Sequence, residues 1–306
     1  MTSRARQWKA MLSDGQSRLE TAGIEEASHK LRWVAAHLLG CSLLGVLRRL
    51  DEIPAPELVR RFEDAVSRLA TDEPVQYVIG ETDFMGLRIR CDSRALIPRP
   101  ETEVLVGCAE EFLRGRRNPV VVDVCTGSGC IACALAKRVP GARIRATDIS
   151  AAALDLAREN ARALDVEVEF TQSDLLAGVA DASADLVVSN PPYVSSAECE
   201  RLDRTVRDFE PRLALDGGID GLRTISRLVS EAAHVLTSGG RLMMEIGDDQ
   251  ADAVAEILCK SPLIQNLGLK SDCSGRARVA VAGRLPRRRI APSIPLNPRG
   301  KASTSD

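Results

Sequence analysis

The sequence predicts an α/β protein with an open, mainly parallel sheet, a small helical domain before it and a β-hairpin linker between them. Three observations predict this. Short apolar runs alternate with helical stretches from about residue 104 to 284. Residues 1–85 carry helical periodicity and almost no strand signal. Between them, paired glycines and period-two alternation mark a hairpin.

Each element follows from its residues. Leu31, Val34, Ala35, Leu38 and Leu39 recur at three-four spacing, as do Leu58, Phe62, Val66 and Leu69, so each set predicts an amphipathic helix. The pattern changes from Val75 to Pro100. Gly80, Gly86 and the alternation of Leu87, Ile89 and Cys91 predict a hairpin, and residues 86–103 form a hairpin and linker unit. Apolar runs near Val120, Ile144, Val166, Leu186 and Leu242 mark five strands of a domain spanning 104–284. Ala277 to Ala282 and a weaker run near Leu267 supply a last pair. Residues 285–306 are rich in Arg, Pro and Ser and are expected to be a disordered basic tail, a solvated end rather than an RNA-binding arm.

Composition excludes several classes. The 306 residues carry 41 basic and 43 acidic side chains, a net charge of −2, so no global basic field invites nucleic acid. Two Trp, two Tyr and five Phe are too few for an extended base-stacking platform. The nine cysteines are scattered and odd in number, which favours reduced thiols and a cytoplasmic setting. Cys130 and Cys133 form a C-x-x-C pair with no second Cys or His pair nearby, so packing is expected and no metal. The longest largely apolar stretch, Trp33 to Leu47, is too short to span a bilayer.

Two motifs carry the chemistry. Asn190-Pro191-Pro192-Tyr193 follows the apolar run Asp185 to Ser189. Proline locks φ and lacks an amide hydrogen, so the turn is stiff and holds the Asn190 carbonyl in a fixed place. Tyr193 adds a flat face. Together they suit a planar, weakly nucleophilic NH2 group, as in an amide or an adenine. Upstream, three valines lead into Asp123-Val124-Cys125-Thr126-Gly127-Ser128-Gly129, and Cys130 to Ala136 begins a helix. Such a glycine loop lets the backbone approach a ligand at a helix N-terminus. Asp148 follows Gly129 by nineteen residues, the place where an acidic group meets ribose hydroxyls. Gly127-x-Gly129-x-x-Ala132 also satisfies the dinucleotide fingerprint, which keeps NAD in view. The Asn-Pro-Pro-Tyr turn has no role in hydride transfer and an evident one in methyl transfer to nitrogen.

At this point the sequence resembles the release-factor glutamine methyltransferases, the HemK-type branch of the S-adenosylmethionine-dependent methyltransferases. The resemblance covers about residues 20 to 284. It rests on Glu73 to Gly80, Phe84-Met85-Gly86-Leu87 and Leu96-Ile97-Pro98-Arg99-Pro100-Glu101-Thr102-Glu103. It continues through the glycine loop, Asn190 to Tyr193, Phe209-Glu210-Pro211, Ala214 to Gly218, Asp220-Gly221-Leu222 and Glu245-Ile246-Gly247. One departure stands in the cofactor loop, where Cys125 replaces the family's usual Gly. A side chain there is costly if the position needs positive φ.

The resemblance implies a Rossmann-like sheet and S-adenosylmethionine as cofactor. The backbone from Cys125 through Thr126, Gly127, Ser128 and Gly129 would face its methionine part, with Asp123 or a nearby carbonyl taking the ammonium. Asp148 would accept the ribose hydroxyls. Asp174 would accept the adenine amino group, with Leu175 covering the ring; the competing reading of Asp174 is a helix N-cap. Asn190 would also border the cofactor; it and the Pro191 carbonyl would accept the N–H bonds of the target, Pro192 would stiffen the turn, and Tyr193 would pack on the amide. Arg99 and Glu101 either order the pocket or form an inter-domain ion pair with Pro100 at a helix start. Glu210 and Pro211 would shape the substrate mouth. The implied substrate is the glutamine of the Gly-Gly-Gln loop of peptide chain release factors, recognised by the domain at residues 1–85, with the enzyme a monomer. The alternatives are an adenine N6-methyltransferase on DNA or RNA, and a non-catalytic nucleotide-binding module.

Overall fold

The computed structural model describes residues 6–272 and 274–286. The tail predicted at 285–306 lies almost wholly outside them.

The N-terminal unit contains α1 (Trp8–Thr21), α2 (Ala27–Leu39), α3 (Leu43–Arg48), α4 (Pro56–Leu69) and α5 (Val75–Ile79). The predicted apolar stripes of α2 and α4 face one core with Trp8, Met11 and Leu19 of α1. Trp8 meets Phe62 edge-on at 5.5 Å between ring centroids. A Cβ at Gly15 would come within 3.3 Å of Leu31 and Val66, so the small residue lets α1 lie close against α2 and α4.

The hairpin pairs β1 (Glu81–Phe84) with β2 (Leu87–Arg90) in antiparallel register, Glu81 opposite Arg90. Its turn residues Met85 and Gly86 both have positive φ, the two-residue geometry that matches strand twist. Two expectations change here. A boundary at residue 86 cuts the hairpin turn. The segment from Val75, expected to open the strand pattern, is helix α5. Its buried Val75 and Tyr77 imitate strand alternation, but Pro74 starts a helical turn and Gly80, in left-handed conformation, stops it. Helix α6 (Pro100–Leu113) then begins with proline in its first turn, joined there by Glu101 and Glu103.

The main sheet holds β3 (Val120–Val124), β4 (Arg143–Asp148), β5 (Glu169–Gln172), β6 (Ala184–Ser189), β7 (Leu236–Glu245), β8 (Ile264–Ser271) and β9 (Ala277–Arg284). Between strands run α7 (Cys130–Arg138), α8 (Ala151–Ala163), the short α9 (Ser196–Cys199) and α10 (Arg204–Arg207), α11 (Arg223–Val235) and α12 (Ala251–Lys260). The strand expected near Val166 starts at Glu169, because Asp165 turns the chain with positive φ. Strand order is β5-β4-β3-β6-β7-β9-β8. The first five are parallel, and β9 runs antiparallel to both β7 and β8.

Alternation along the strands divides the core into two layers. Val122, Val187 and Leu242 pack on Ile225 and Leu228 of α11 and Leu258 of α12. Val121, Leu186, Val188 and Met243 pack on Leu105 and Val106 of α6 and Ile131 and Leu135 of α7. From β3 the chain first builds outward to β4 and β5, then returns to place β6 on the other side of β3. That reversal opens a crevice at the carboxyl ends of β3 and β6, where ligands bind in open α/β sheets.

Candidate active site

The loop after β3 is built from backbone. Cys125, Gly127 and Gly129 have φ of 59, 54 and 78°. A Cβ at Gly129 would fall 2.9 Å from that of Ala157, so only glycine lets α7 start this close to α8. The loop is tied from below by Asp123, which is fully buried. Its Oδ2 accepts the Thr126 hydroxyl at 2.6 Å and the Ala132 N–H at 3.2 Å. Its Oδ1 has no hydrogen-bond partner among the described residues. Burial pushes this carboxyl up to about 7.

Cys125 occupies the left-handed region that a glycine would enter freely, and its side chain packs against the core beside β3 and β6. Burial and the carboxylates of Asp148 and Asp123 push its thiol up, so it stays protonated. Cys130 and Cys133 are buried as well, and burial pushes Cys133 up to about 12. The cysteines of the described residues are free thiols, and no metal-binding cluster of His, Cys, Asp or Glu occurs among those residues. The C-x-x-C pair is buried at the first turn of α7.

Asp148 ends β4 beside this loop. Its oxygens accept the N–H groups of Gly127 and Ser150, each at 2.9 Å. Burial raises its carboxyl above the usual range despite those bonds. Across the crevice, Ser189 donates to the Val124 carbonyl at 2.7 Å and locks the end of β6 to the end of β3. Asn190 follows at once. The turn it opens is braced by glycines: a Cβ at Gly221 would sit 2.2 Å from the Tyr193 carbonyl oxygen, and one at Gly217 2.7 Å from that of Pro192. Gln250 donates to the same Tyr193 carbonyl at 2.9 Å.

These elements enclose a cavity of about 380 Å³, within the range of about 300–1,000 Å³ typical of small-molecule sites. Cys125, Thr126, Gly127, Ser128, Asp148, Asp174, Leu175, Asn190 and Pro192 line it. Four expected site residues are not on its wall. Asp123 lies beneath the loop, so its part is to hold the loop rather than to touch a ligand's ammonium. Gly129 caps α7. Pro191 is buried within the turn. Tyr193 turns its hydroxyl to Glu245 at 3.0 Å and packs its ring against the core.

The structure sharpens other expectations. Asp174 caps no helix; its carboxylate, half-exposed at the rim, takes Arg227 at 3.0 Å. Leu175 is buried with φ of 52°, and its carbonyl accepts the Thr147 hydroxyl. Arg99 is ion-paired to Glu210, which is buried and also accepts the Ile97 N–H at 3.1 Å. Glu210 thus anchors the segment before α6 to the segment after α10. Sequence reasoning missed Ile149, half-exposed on the cavity wall, and gave no role to Thr102 or Glu245. The latter two lie in the Leu96–Glu103 and Glu245–Gly247 segments, but only their contacts reveal what they do.

The residues present fit S-adenosylmethionine. A carboxylate stands ready for vicinal hydroxyls, Leu175 and Ile149 offer apolar faces, and the glycine loop offers unencumbered backbone. With Asn190 facing the same space, the fold and site define an S-adenosylmethionine-dependent methyltransferase.

Family models agree. One described as "Methyltransferase small domain" matches residues 101–219, and one described as "PrmC N-terminal domain" matches residues 10–80. The release factor glutamine methyltransferase of Deinococcus radiodurans is 38% identical over 91% of this chain and 99% of its own length. That of Moorella thermoacetica is 41% identical over 89% of this chain and 97% of its own. Among solved structures, a ribosomal protein L11 methylase from Lactobacillus delbrueckii subsp. bulgaricus is similar with a TM-score of 0.47. That likeness has 24% identity and covers 65% of this chain and 86% of the other. The chain belongs to the release factor glutamine methyltransferase family. No helix among the described residues is long and apolar enough to cross a membrane.

Proposed function

We propose that this enzyme methylates the side-chain amide nitrogen of the glutamine in the Gly-Gly-Gln loop of peptide chain release factors. The observation that carries the reading is Asn190, on a braced turn, facing the cofactor cavity at the reversal point of the sheet. The names of the relatives support the substrate class.

S-adenosylmethionine supplies an electrophilic sulfonium methyl. The chain's own residues do the rest. Asp148 would hold the ribose, the loop from Cys125 to Ser128 would hold the methionine part, and Asp174 and Leu175 would take the adenine. An amide nitrogen is a poor nucleophile because its lone pair is delocalised. The Asn190 Oδ1 accepts one of its N–H bonds, fixes its direction and favours the positive charge that grows on it. Pro192 stiffens the turn, and Tyr193 supports it from behind. No strong base is needed, because the methylated cationic amide is very acidic.

The helical N-terminal domain is the proposed substrate-recognition unit. Its exposed Leu44, Leu47 and Ile53 give it apolar surface for a protein partner. The enzyme is proposed to act as a cytoplasmic monomer without direct contact to nucleic acid. The test is a pair of parallel labelling reactions. Methyl-labelled S-adenosylmethionine is supplied with a purified release factor in one reaction and an adenine-containing oligonucleotide in another. Label on the release factor alone is expected. Label on the oligonucleotide alone would make the adenine reading the correct one.

A further inference from the structure

An asparagine amide has an acceptor end and a donor end of nearly equal shape. Half a turn about its terminal torsion exchanges them at little steric cost. Pro191 and Pro192 fix the backbone of the turn but do not decide which end of Asn190 meets the substrate. A donor end there would face the N–H bonds of a target amide with N–H bonds of its own.

The deciding contacts come from two distant segments. Thr102, in the first turn of α6, is 2% exposed, and its hydroxyl oxygen accepts from Asn190 Nδ2 at 3.2 Å. The same hydroxyl donates to Glu245 Oε2 at 2.7 Å. Glu245, the last residue of β7, is 1% exposed. Its Oε1 takes the Tyr193 hydroxyl at 3.0 Å. Burial raises its carboxyl, while the hydroxyls of Thr102 and Tyr193 and the charge of Arg278 favour the ionised form.

The polarity of this chain follows from donor and acceptor counts. A carboxylate only accepts, and a threonine hydroxyl has one proton. With that proton committed to Glu245, Thr102 has only lone pairs left for Asn190. Asn190 must then turn its NH2 inward and its oxygen toward the cavity. We infer that Glu245 and Thr102 are positioning residues that set the polarity of the Asn190 amide and so select an acceptor bearing NH2. The inference rests on the reading of Asn190 as the group that meets the methyl acceptor.

Glu245→Gln is the informative variant, because it keeps shape while adding a donor. The glutamine NH2 can donate to Thr102, whose proton is then free for Asn190 Oδ1, and the Asn190 amide reverses. The turnover number on a release factor should fall by roughly 10²-fold, with S-adenosylmethionine affinity and thermal unfolding unchanged. Thr102→Val should fall likewise, and Thr102→Ser, which retains the hydroxyl, should restore most of the rate. A second readout does not need methyl transfer. The Asn190 side-chain amide signal in 15N-labelled protein is assigned by its loss in Asn190→Ala. In the unmutated enzyme its protons should exchange slowly with solvent, and in Glu245→Gln they should exchange faster at a shifted frequency. An unmoved amide signal with an undiminished rate in Glu245→Gln would overturn the inference. So would a Thr102→Ser variant as slow as Thr102→Val. Should the unmutated enzyme fail to label a release factor, the substrate reading fails, and the amide signal still decides the relay.

Discussion

The two walls of the catalytic crevice are made in different ways. The cofactor wall after β3 is backbone: glycines at positive φ, a helix start, and one buried carboxylate beneath. The acceptor wall after β6 is a single side chain, Asn190, whose orientation depends on Thr102 and Glu245. A backbone wall is robust to side-chain chemistry but intolerant of Cβ atoms. A side-chain wall is tunable, and it fails when one remote partner changes polarity. Cofactor binding and methyl transfer should therefore respond to different mutations.

The largest effect should fall on the acceptor wall. Asn190→Ala should lower the methyl-transfer rate by roughly 10²–10³, the scale of one deleted transition-state hydrogen bond. Cofactor affinity should stay unchanged; single-turnover kinetics beside a binding titration separate the two. A large loss of cofactor affinity would erase the distinction between the walls.

Asp148→Ala is the reciprocal probe. Losing two charge-assisted hydrogen bonds to ribose should weaken cofactor binding by on the order of 2–4 kcal/mol. Asp148 also accepts the Gly127 N–H, so the loop should loosen locally while the fold persists. Calorimetry showing full affinity would remove Asp148 from the site.

Much of this division was legible in the sequence, and for a physical reason. Gly127, Gly129 and Asp148 lie within one βαβ unit, so local spacing encodes the cofactor wall. The sheet was legible too, because Val121 and Val122 announce a strand buried on both faces. The relay was not legible. Thr102 stands 88 residues from Asn190 and 143 from Glu245. A buried threonine in a first helical turn also resembles any small capping residue. Tyr193 misled for a similar reason, since sequence cannot say whether an aromatic beside a site faces in or away. Helix α5 misled because its buried pair is spaced like a strand.

A smaller effect concerns Asp123. Its carboxyl rises from 3.8 to about 7 in the folded protein. The folded state thus keeps a proton that the unfolded chain releases, and stability falls as pH rises from about 4 to about 7. Asp123→Asn should flatten that slope, as denaturant midpoints measured across the window would reveal. An unchanged slope would place the titration elsewhere.

The smallest effect is expected at Cys125. Glycine relieves the positive-φ strain of about 1 kcal/mol but loses side-chain packing and adds unfolded-state freedom. Cys125→Gly should leave cofactor affinity equal or modestly improved. Abolished binding would give the thiol a role that a backbone-built wall does not provide.

The most direct test of the central claim is the site of methylation on the substrate. A release factor is incubated with enzyme and S-adenosylmethionine, then digested and sequenced by mass spectrometry, beside a variant whose Gly-Gly-Gln glutamine is alanine. The account predicts a single added methyl on that glutamine side chain and none on the alanine variant. A methyl found elsewhere, or retained in the variant, would contradict it.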